Sequence, residues 1–293
     1  MESEIFDKYL EAGKIASYVR EESKKLVKPG ESLLKIAESI EEMIKNKGGK
    51  PAFPVNISLN DIGAHYTPSK NDKTTIGEGD VVKIDIGVHI DGYIGDTAYT
   101  IVFDPKYEKL KEASEKALEE ALKLCKPNTL LSDISTKIEE TIKSFGFKPV
   151  ANLTGHGLER FNLHAEPQIP NIKFSSDYRL KEDQVIAIEP FATNGAGLIK
   201  ESEPILIFAI GSGPVRNQDA RSIIKFGEQF NGLPCAERWI PIDSLVKIKI
   251  ALRELRERNI IYDYPVLKEI EKGIITQAEH TIIIKDEPII TTK

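Results

Sequence analysis

Cysteine, methionine and long apolar runs are scarce in this chain of 293 residues, which has two cysteines and two methionines. Cys125 and Cys235 lie far apart and form no CxxC pair, so neither a disulfide framework nor a cysteine-based metal site is expected. No apolar run approaches the roughly 18 residues that a membrane-spanning helix needs. The start of the chain, MESE, is acidic where a signal peptide is basic. We therefore expect a soluble protein of the reducing cytoplasm, without a membrane partner.

Net positive charge is also lacking, because 46 acidic residues outnumber 40 basic ones and the formal net charge is −6. A net negative charge does not attract the negatively charged phosphates of nucleic acid, so direct nucleic-acid binding is not expected. Apolar residues make up 40% of the chain, which is enough to bury a sizeable core.

The chain does contain an internal repeat. Segment 28–51, KPGESLLKIAESIEEMIKNKGGKP, and segment 126–149, KPNTLLSDISTKIEETIKSFGFKP, are identical at 12 of 24 positions without a gap. The similarity continues into VVKID, which ends at Asp85, and VIAIE, which ends at Glu189; both are rich in the β-branched residues typical of strands. Each half is therefore predicted to contain two helices followed by a sheet.

A duplicated unit predicts two similar halves that face each other across a cleft, about a pseudo-two-fold axis. The residues after about Gly211 have no counterpart in the first half, and we interpret them as an insertion. The predicted fold is α+β, with a main domain formed by residues 1–210 together with 265–293. Residues 211–264 are predicted to form a helical insertion subdomain.

Acidic residues and a histidine beside the predicted strands are candidates for a metal site. Asp85 and Asp96 flank a stretch that predicts a β-hairpin, which can return both side chains to one face. His156 lies between two glycines, which permit close backbone approach. Glu189 and Glu279 adjoin strand patterns, and each taken alone is better explained as a strand end that faces solvent. Together, four carboxylates and one imidazole suit two hard or borderline divalent metals.

The order of these five residues resembles the ligand pattern of the methionine aminopeptidases, in the pita-bread metallopeptidase superfamily. Three features are similar to the type 2 enzymes in their short archaeal form: the segment AFPVNISLNDIGAHYTP at 52–68, the interval of 90 residues between Glu189 and Glu279, and DYPVL before the last ligand. The resemblance covers nearly the whole chain. It implies that the duplicated main domain is a pita-bread catalytic domain.

The resemblance implies a centre of two divalent metal ions. Asp85 would chelate one ion, His156 and Glu189 would hold the other, and Asp96 and Glu279 would bridge them. Two ions about 3.5–4 Å apart can share a water, lower its pKa toward about 7 and polarise the carbonyl of the scissile bond. Co, Mn, Fe and Zn all accept these ligands. Glu189 is also implied as the proton acceptor from that water.

The resemblance further implies catalytic histidines and a substrate pocket. His65 and His164 would hydrogen-bond the scissile amide of the substrate without binding metal, and Phe53, Leu163 and Tyr264 would line an apolar pocket for methionine. By sequence alone, His164 is equally well explained as a surface histidine. The implied function is removal of the N-terminal methionine from nascent polypeptides with a small second residue, by attack of a metal-bridging hydroxide on the first peptide bond.

Two alternative functions stay open. Prolidase-like Xaa-Pro aminopeptidases share the fold and the ligands, but they usually carry a substantial domain before the first ligand, whereas 84 residues precede Asp85 here. A non-catalytic relative that binds protein or RNA is the other alternative, although such proteins lose metal ligands. The segment LVKIKIALRELRER has arginines that could contact ribosomal RNA. Glu254 and Glu257 interrupt them, so a solvated helix face is the simpler interpretation.

Overall fold

The computed structural model describes residues 1–293 as six α-helices and sixteen β-strands. The helices are α1 (Ser3–Ser23), α2 (Leu33–Asn46), α3 (Glu108–Leu122), α4 (Leu131–Ser144), α5 (Gln218–Gly227) and α6 (Leu245–Glu257). The strands are β1 (Lys50–Pro51), β2 (Asn56–Leu59), β3 (Ile62–Ala64), β4 (Val81–Ile90), β5 (Tyr93–Val102), β6 (Lys148–Pro149), β7 (Thr154–Glu159), β8 (Asn162–Pro170), β9 (Val185–Ile188), β10 (Phe191–Thr193), β11 (Ile199–Ile210), β12 (Cys235–Ala236), β13 (Ile261–Glu269), β14 (Ile275–Gln277), β15 (His280–Ile283) and β16 (Ile289–Ile290). The strands form four sheets of antiparallel pairs. None of the helices combines the length and the apolar character needed to cross a membrane.

The repeated segments form the same structure in both halves. Helices α2 and α4 each bury isoleucines at a spacing of four residues, which is one face of a helix. These are Ile36, Ile40 and Ile44 in α2, and Ile134, Ile138 and Ile142 in α4. A glycine follows each helix at a positive φ, 89° for Gly48 and 87° for Gly146, a conformation that ends a helix at no steric cost when Cβ is absent. The predicted duplication is confirmed.

The first half carries two of the predicted ligands on one hairpin. Strands β4 and β5 pair along their whole length and turn at Asp91 and Gly92, both at positive φ. Asp96 lies opposite Gly87, which is two residues from Asp85. The two aspartates are therefore diagonal neighbours on the same face of the hairpin.

The second half brings three further predicted ligands together on one sheet. Strands β9 and β15 pair so that Ile188 lies opposite His280. Glu189 and Glu279, the next residues outward, therefore lie across from each other where the two strands end. Strand β7 pairs with the other edge of β9 and carries His156 alongside it.

The two halves are joined at these same residues. The Asp96 N–H donates to Thr281 Oγ1 at 2.7 Å, and that hydroxyl donates to the Asp96 carbonyl at 2.8 Å. The Glu279 N–H donates to the Ala98 carbonyl at 3.1 Å, and the Thr97 hydroxyl donates to the Glu279 carbonyl at 2.9 Å. The acidic side chains therefore lie at the seam between the repeats.

Each half has its own apolar core between its helices and its sheet. Ile84 of β4 belongs to the core under α1 and α2, and Ile186 of β9 belongs to the core under α3 and α4. A third buried cluster, which includes Phe53 and Leu163, connects the two halves. Burying one such side chain contributes about 1.5–3 kcal/mol, so the seam is held by packing as well as by hydrogen bonds.

The segment 211–264 contains helices α5 and α6, as predicted. Ile223 of α5 and Leu252 of α6 share an apolar cluster with Phe208 of β11, so both helices pack against the sheet β12-β11-β13-β3. The predicted boundary at 264 lies inside β13, so one strand belongs to both predicted units. The division into two domains stays a prediction.

A buried ion pair connects this segment to the first half. The Arg238 guanidinium pairs with Glu41 of α2 and also donates to Thr67 Oγ1 and the Pro68 carbonyl. The Trp239 indole N–H donates to the second Glu41 oxygen at 2.9 Å. Both members of the ion pair are buried.

Candidate metal centre

One cavity of about 190 Å³ lies between the halves and is lined by every residue predicted to act in the site. The predicted ligands at this cavity are Asp85, Asp96, His156, Glu189 and Glu279, and the other predicted site residues are Phe53, His65, Leu163, His164 and Tyr264. The cavity walls come from both repeats and from strands β11 and β13. The ten residues that the family resemblance indicated therefore lie around one cavity, and their individual roles stay predictions.

The predicted ligand atoms converge at short range. His156 Nε2 is 3.6 Å from Glu189 Oε1 and 3.8 Å from Asp96 Oδ2. Asp96, His156 and Glu279 each offer a ligand atom, and these atoms lie within 4.8 Å of one another. This spacing suits a shared cation.

The two glycines beside His156 allow the backbones around it to approach. A Cβ on Gly155 would lie 2.4 Å from the Ala187 carbonyl oxygen, and a Cβ on Gly157 would lie 2.2 Å from the Glu166 carbonyl oxygen. Either contact is impossible for a real side chain. The glycines thus hold His156 in the sheet at the position where it meets the acidic residues.

The four carboxylates repel one another in a buried space. Burial raises the pKa of Asp85 to about 7. Burial, with neighbouring carboxylates as a further cause, raises the pKa of Asp96, Glu189 and Glu279 well above the usual range. Oδ1 of Asp85 and Oδ1 of Asp96 are buried without a hydrogen-bond partner. A group of this kind is costly unless cations occupy the site, so the donor set fits divalent metal.

The imidazole of His156 also fits a cation. Burial, with His164 as a further cause, lowers the pKa of His156 to about 3, so the ring is neutral. Its Nδ1 lies 3.2 Å from the Gly157 carbonyl, which can only accept, so the proton is assigned to Nδ1. The lone pair of Nε2 then faces the carboxylates of Asp96 and Glu189. The negative charge of the two carboxylates repels this lone pair. A cation bound between the ring and the carboxylates would remove the repulsion, because all three groups could then act as its ligands.

His65 and His164 line the cavity beside this group. His65 is half-buried and His164 is exposed, but the protein around each ring displaces enough water to lower the pKa of each histidine to about 4, so both are neutral. Nδ1 of His65 lies 3.2 Å from the Pro265 carbonyl and is therefore the protonated nitrogen, which leaves Nε2 as an acceptor. The His164 ring is 4.7 Å from the His156 ring, and the Tyr264 ring lies 5.5 Å from His65 and 5.8 Å from His164.

Phe53 and Leu163 are core residues and also line the cavity. Both belong to the buried cluster between the halves, and both face the cavity. Their exposed fractions are 6% and 8%. They form an apolar wall beside the acidic group.

Two buried polar residues near the site were missed by the sequence analysis. Gln277 Nε2 donates to Glu189 Oε2 at 3.3 Å and to Glu279 Oε2 at 3.5 Å. Its position two residues before Glu279 was an available indication, because residues two apart in an extended chain point to the same side. Lys83 lies two residues before Asp85 and donates to the Ile275 carbonyl at 2.9 Å; burial lowers the pKa of this lysine to about 7.

Comparison with known proteins identifies the family. A family model described as metallopeptidase family M24 matches residues 7–222. The chain belongs to metallopeptidase family M24. Over 292 residues this M24 chain is 50% identical to a protein of Pyrococcus abyssi named methionine aminopeptidase, a match that covers 98% of the chain and 99% of the relative. A protein of the same name from Pyrococcus horikoshii is 49% identical over 292 residues, with the same coverage of both chains.

Two solved structures share the fold of the M24 chain. A structure described as a thermophilic Arx1 matches with a TM-score of 0.88 at 20% identity, covering 99% of this chain and 91% of that one. A methionine aminopeptidase from Thermotoga maritima matches with a TM-score of 0.75 at 24% identity, covering 100% and 98%. At these identities the likeness concerns the fold alone, and the predicted pita-bread fold is confirmed. Membership of this metallopeptidase family implies use of divalent metal.

Proposed function

We propose that this protein removes the N-terminal methionine from nascent polypeptides that have a small second residue. The observation that carries the proposal is the meeting of four carboxylates and the Nε2 lone pair of His156 beside the apolar wall of Phe53 and Leu163. Two of these carboxylates, Asp96 and Glu279, are buried, and the other two, Asp85 and Glu189, are half-buried. The M24 relatives that match the full length bear the name of this activity. It is a hydrolytic, metal-dependent exopeptidase activity.

The proposed centre holds two divalent ions. Asp85 would hold one ion, His156 and Glu189 would hold the other, and Asp96 and Glu279 would be shared by both. When bound, the ions supply Lewis acidity for the scissile carbonyl and lower the pKa of a shared water toward about 7. Carboxylates and one imidazole accept Co, Mn, Fe or Zn, so the ligand set leaves the identity of the metal open.

The side chains around the ions bind and orient the substrate. His65 Nε2, left without a proton by the hydrogen bond of Nδ1, accepts from the amide N–H of the substrate. His164 faces the same space and stabilises charge at the scissile carbonyl. Glu189 takes a proton from the attacking water. The free amino group of the substrate would meet the metal pair, which would restrict cleavage to the first peptide bond.

The apolar wall selects methionine. Phe53, Leu163 and Tyr264 surround the position of the first side chain, where a flexible thioether gains dispersion and ring contacts. The second residue must lie with its backbone against the acidic group, so little space remains beside its side chain. A long acidic second residue would also meet repulsion from the carboxylates.

The alternative functions are less favoured. An Xaa-Pro aminopeptidase has the same ligand types, but the relatives that match this chain over 98% of its length are named methionine aminopeptidase. A non-catalytic binding protein would have no need for four carboxylates held close together against their mutual repulsion. The full ligand set favours an enzyme.

We expect the protein to bind its substrates in the cytoplasm, while these polypeptides are being synthesised. Direct binding of ribosomal RNA through α6 is not expected, because the arginines at the end of this helix have acidic partners. Arg256 pairs with Asp263 of β13 at 2.7 Å. Arg253 pairs with Glu257 at 2.8 Å, and Arg258 pairs with Glu254 at 3.3 Å. These pairs partly neutralise the basic face.

The test is hydrolysis by protein of defined metal content. Met-Ala-Ser should be cleaved after methionine, whereas Gly-Pro and Met-Glu-Ser should not. Elemental analysis should give two bound divalent ions per chain. Cleavage of Gly-Pro in preference to Met-Ala-Ser would favour the prolidase-like alternative, and a protein that binds no divalent ion would contradict the proposal.

A further inference from the structure

Strand β13 has an edge that no other strand covers. On one side β11 pairs with it from Ile261 to Tyr264, but on the other side β3 pairs with it only at Leu267 and the next residue. Strand β3 then ends, and His65 follows at a φ of 64°, which turns the chain away. The side of β13 opposite β11 is therefore uncovered over residues 261–264.

The uncovered edge offers unpaired backbone groups. The Gly211 N–H donates to the Ile260 carbonyl at 2.7 Å, in the same register as the β11–β13 pair. Because hydrogen-bonded residues alternate along an antiparallel pair, the even-numbered residues of β13 bond to β11. Ile261 and Asp263 therefore direct their N–H and C=O groups toward the uncovered side.

The same strand leads from the cavity to solvent. Tyr264 lines the cavity between His65 and His164. Two residues away, about 7 Å along the strand, the ring of Tyr262 packs edge-to-face against Tyr264 at 5.1 Å and its residue is 68% exposed. An aromatic surface thus continues outward from the site beside the open edge.

We infer that the part of the substrate after the scissile bond binds along this edge as an additional antiparallel strand. The inference rests on the proposed function, because the substrate's amino end must lie among the acidic residues and its chain must run outward. The third residue of the substrate then pairs with Asp263 and the fifth with Ile261. The side chain of the fourth residue lies beside Tyr262, on the same face.

This mode of binding matches the chemistry of the substrate. Nascent chains differ in sequence beyond the second residue, and main-chain hydrogen bonds are available from nearly any sequence. Tyr262 adds an aromatic contact that accepts many side chains. The edge therefore increases affinity for polypeptides over short peptides without demanding a sequence.

A comparison of peptide lengths tests the inference with the metal-loaded protein. The heptapeptide Met-Ala-Ser-Leu-Thr-Leu-Lys should have a kcat/KM about tenfold above that of Met-Ala-Ser, since each additional main-chain hydrogen bond gives a factor of about 2–12. N-methylation of the heptapeptide at its third or fifth residue should lower kcat/KM by about threefold or more. N-methylation at the fourth residue, whose N–H points away from β13, should change it little.

Variants of the protein give an independent readout. Tyr262→Ala should reduce the heptapeptide to tripeptide ratio, and Tyr262→Phe should restore it. Tyr18→Ala is the matched control, because Tyr18 is a tyrosine on α1 that is 45% exposed. The heptapeptide to tripeptide ratio of this variant should equal that of wild type.

The outcomes separate this inference from the proposed function. No cleavage of Met-Ala-Ser would overturn the proposed function itself. Cleavage of Met-Ala-Ser with N-methyl effects that are equal at all positions, or largest at the fourth residue, would overturn the inference alone. Sedimentation provides one further outcome. If the wild-type protein is a dimer and Tyr262→Ala makes it dissociate, the edge binds a second copy of the chain, and the inference is overturned.

Discussion

Asp96 lies close to several other ionisable groups of the site. Its Oδ2 lies 3.8 Å from His156 Nε2, and burial, followed by Asp85 and Glu189, raises its pKa. One of its oxygens has no hydrogen-bond partner. A buried carboxylate of this kind is destabilising unless a cation compensates its charge, which supports the proposed role of Asp96 as a metal ligand.

We predict that Asp96→Ala or Glu279→Ala abolishes hydrolysis, because each change removes a proposed bridging ligand. The metal-free variants should nevertheless have a free energy of unfolding at least equal to that of wild type, because repulsion among the carboxylates decreases. Peptide hydrolysis at defined metal content and urea unfolding in EDTA measure the two effects. Near-normal turnover by either variant would show that the bridging assignment is wrong.

His65→Ala and His164→Ala should lower kcat while leaving the metal content near that of wild type. Loss of a hydrogen bond that forms in the transition state typically costs about 10²–10³ in rate. Steady-state kinetics and elemental analysis on the same preparations check this. If either variant loses its metal, that histidine belongs among the ligands.

At the scale of single elements, strand β4 carries Asp85, one of the proposed ligands, and also leaves space for Phe53 in the pocket wall. A Cβ on Gly87 would lie 2.2 Å from the Phe53 ring. Phe53 can therefore face the cavity only because position 87 has no side chain.

Gly87→Ala should displace Phe53, raise KM for methionyl peptides and lower the free energy of unfolding by about 1–3 kcal/mol, the usual cost of overpacking. Denaturant unfolding and peptide kinetics give the two values. Gly79→Ala is the matched control, since nothing lies within 4 Å of a Cβ there. Equal behaviour of the two variants would rule out the steric explanation.

The elements that carry the proposed ligands were predictable from the sequence, whereas the elements that complete the cavity were not. The duplication, the hairpin of Asp85 and Asp96 and the strands beside Glu189 follow local rules of periodicity and turns. The position of Tyr264 near His65 depends on β13 pairing with β11 and β3, which are distant in sequence. Such contacts are set by packing of the whole chain, so only the family resemblance indicated them.

On the scale of the whole molecule, the ion pair between Arg238 and Glu41 connects segment 211–264 to the first half. Arg238→Ala should lower the free energy of unfolding by about 3–5 kcal/mol, because it leaves the Glu41 carboxylate buried without its cation. Fluorescence of Trp239, the only tryptophan, follows the unfolding directly since its indole contacts Glu41.

The double variant Glu41→Met with Arg238→Met is the control for this prediction. It removes both charges together and should recover most of the lost stability. If Arg238→Ala costs less than about 1 kcal/mol, the segment is held by its apolar contacts instead.

The accessibility of Lys83 to a chemical reagent reports how often the two halves of the folded protein separate. Its residue is 1% exposed, and its ammonium group connects β4 of the first half to the Ile275 carbonyl on β14 of the second. Acylating reagents reach surface lysines at once, but they can reach Lys83 only after these strands separate. The time course of its acylation, followed by mass spectrometry, therefore measures how often the two repeats part while the protein remains in native buffer.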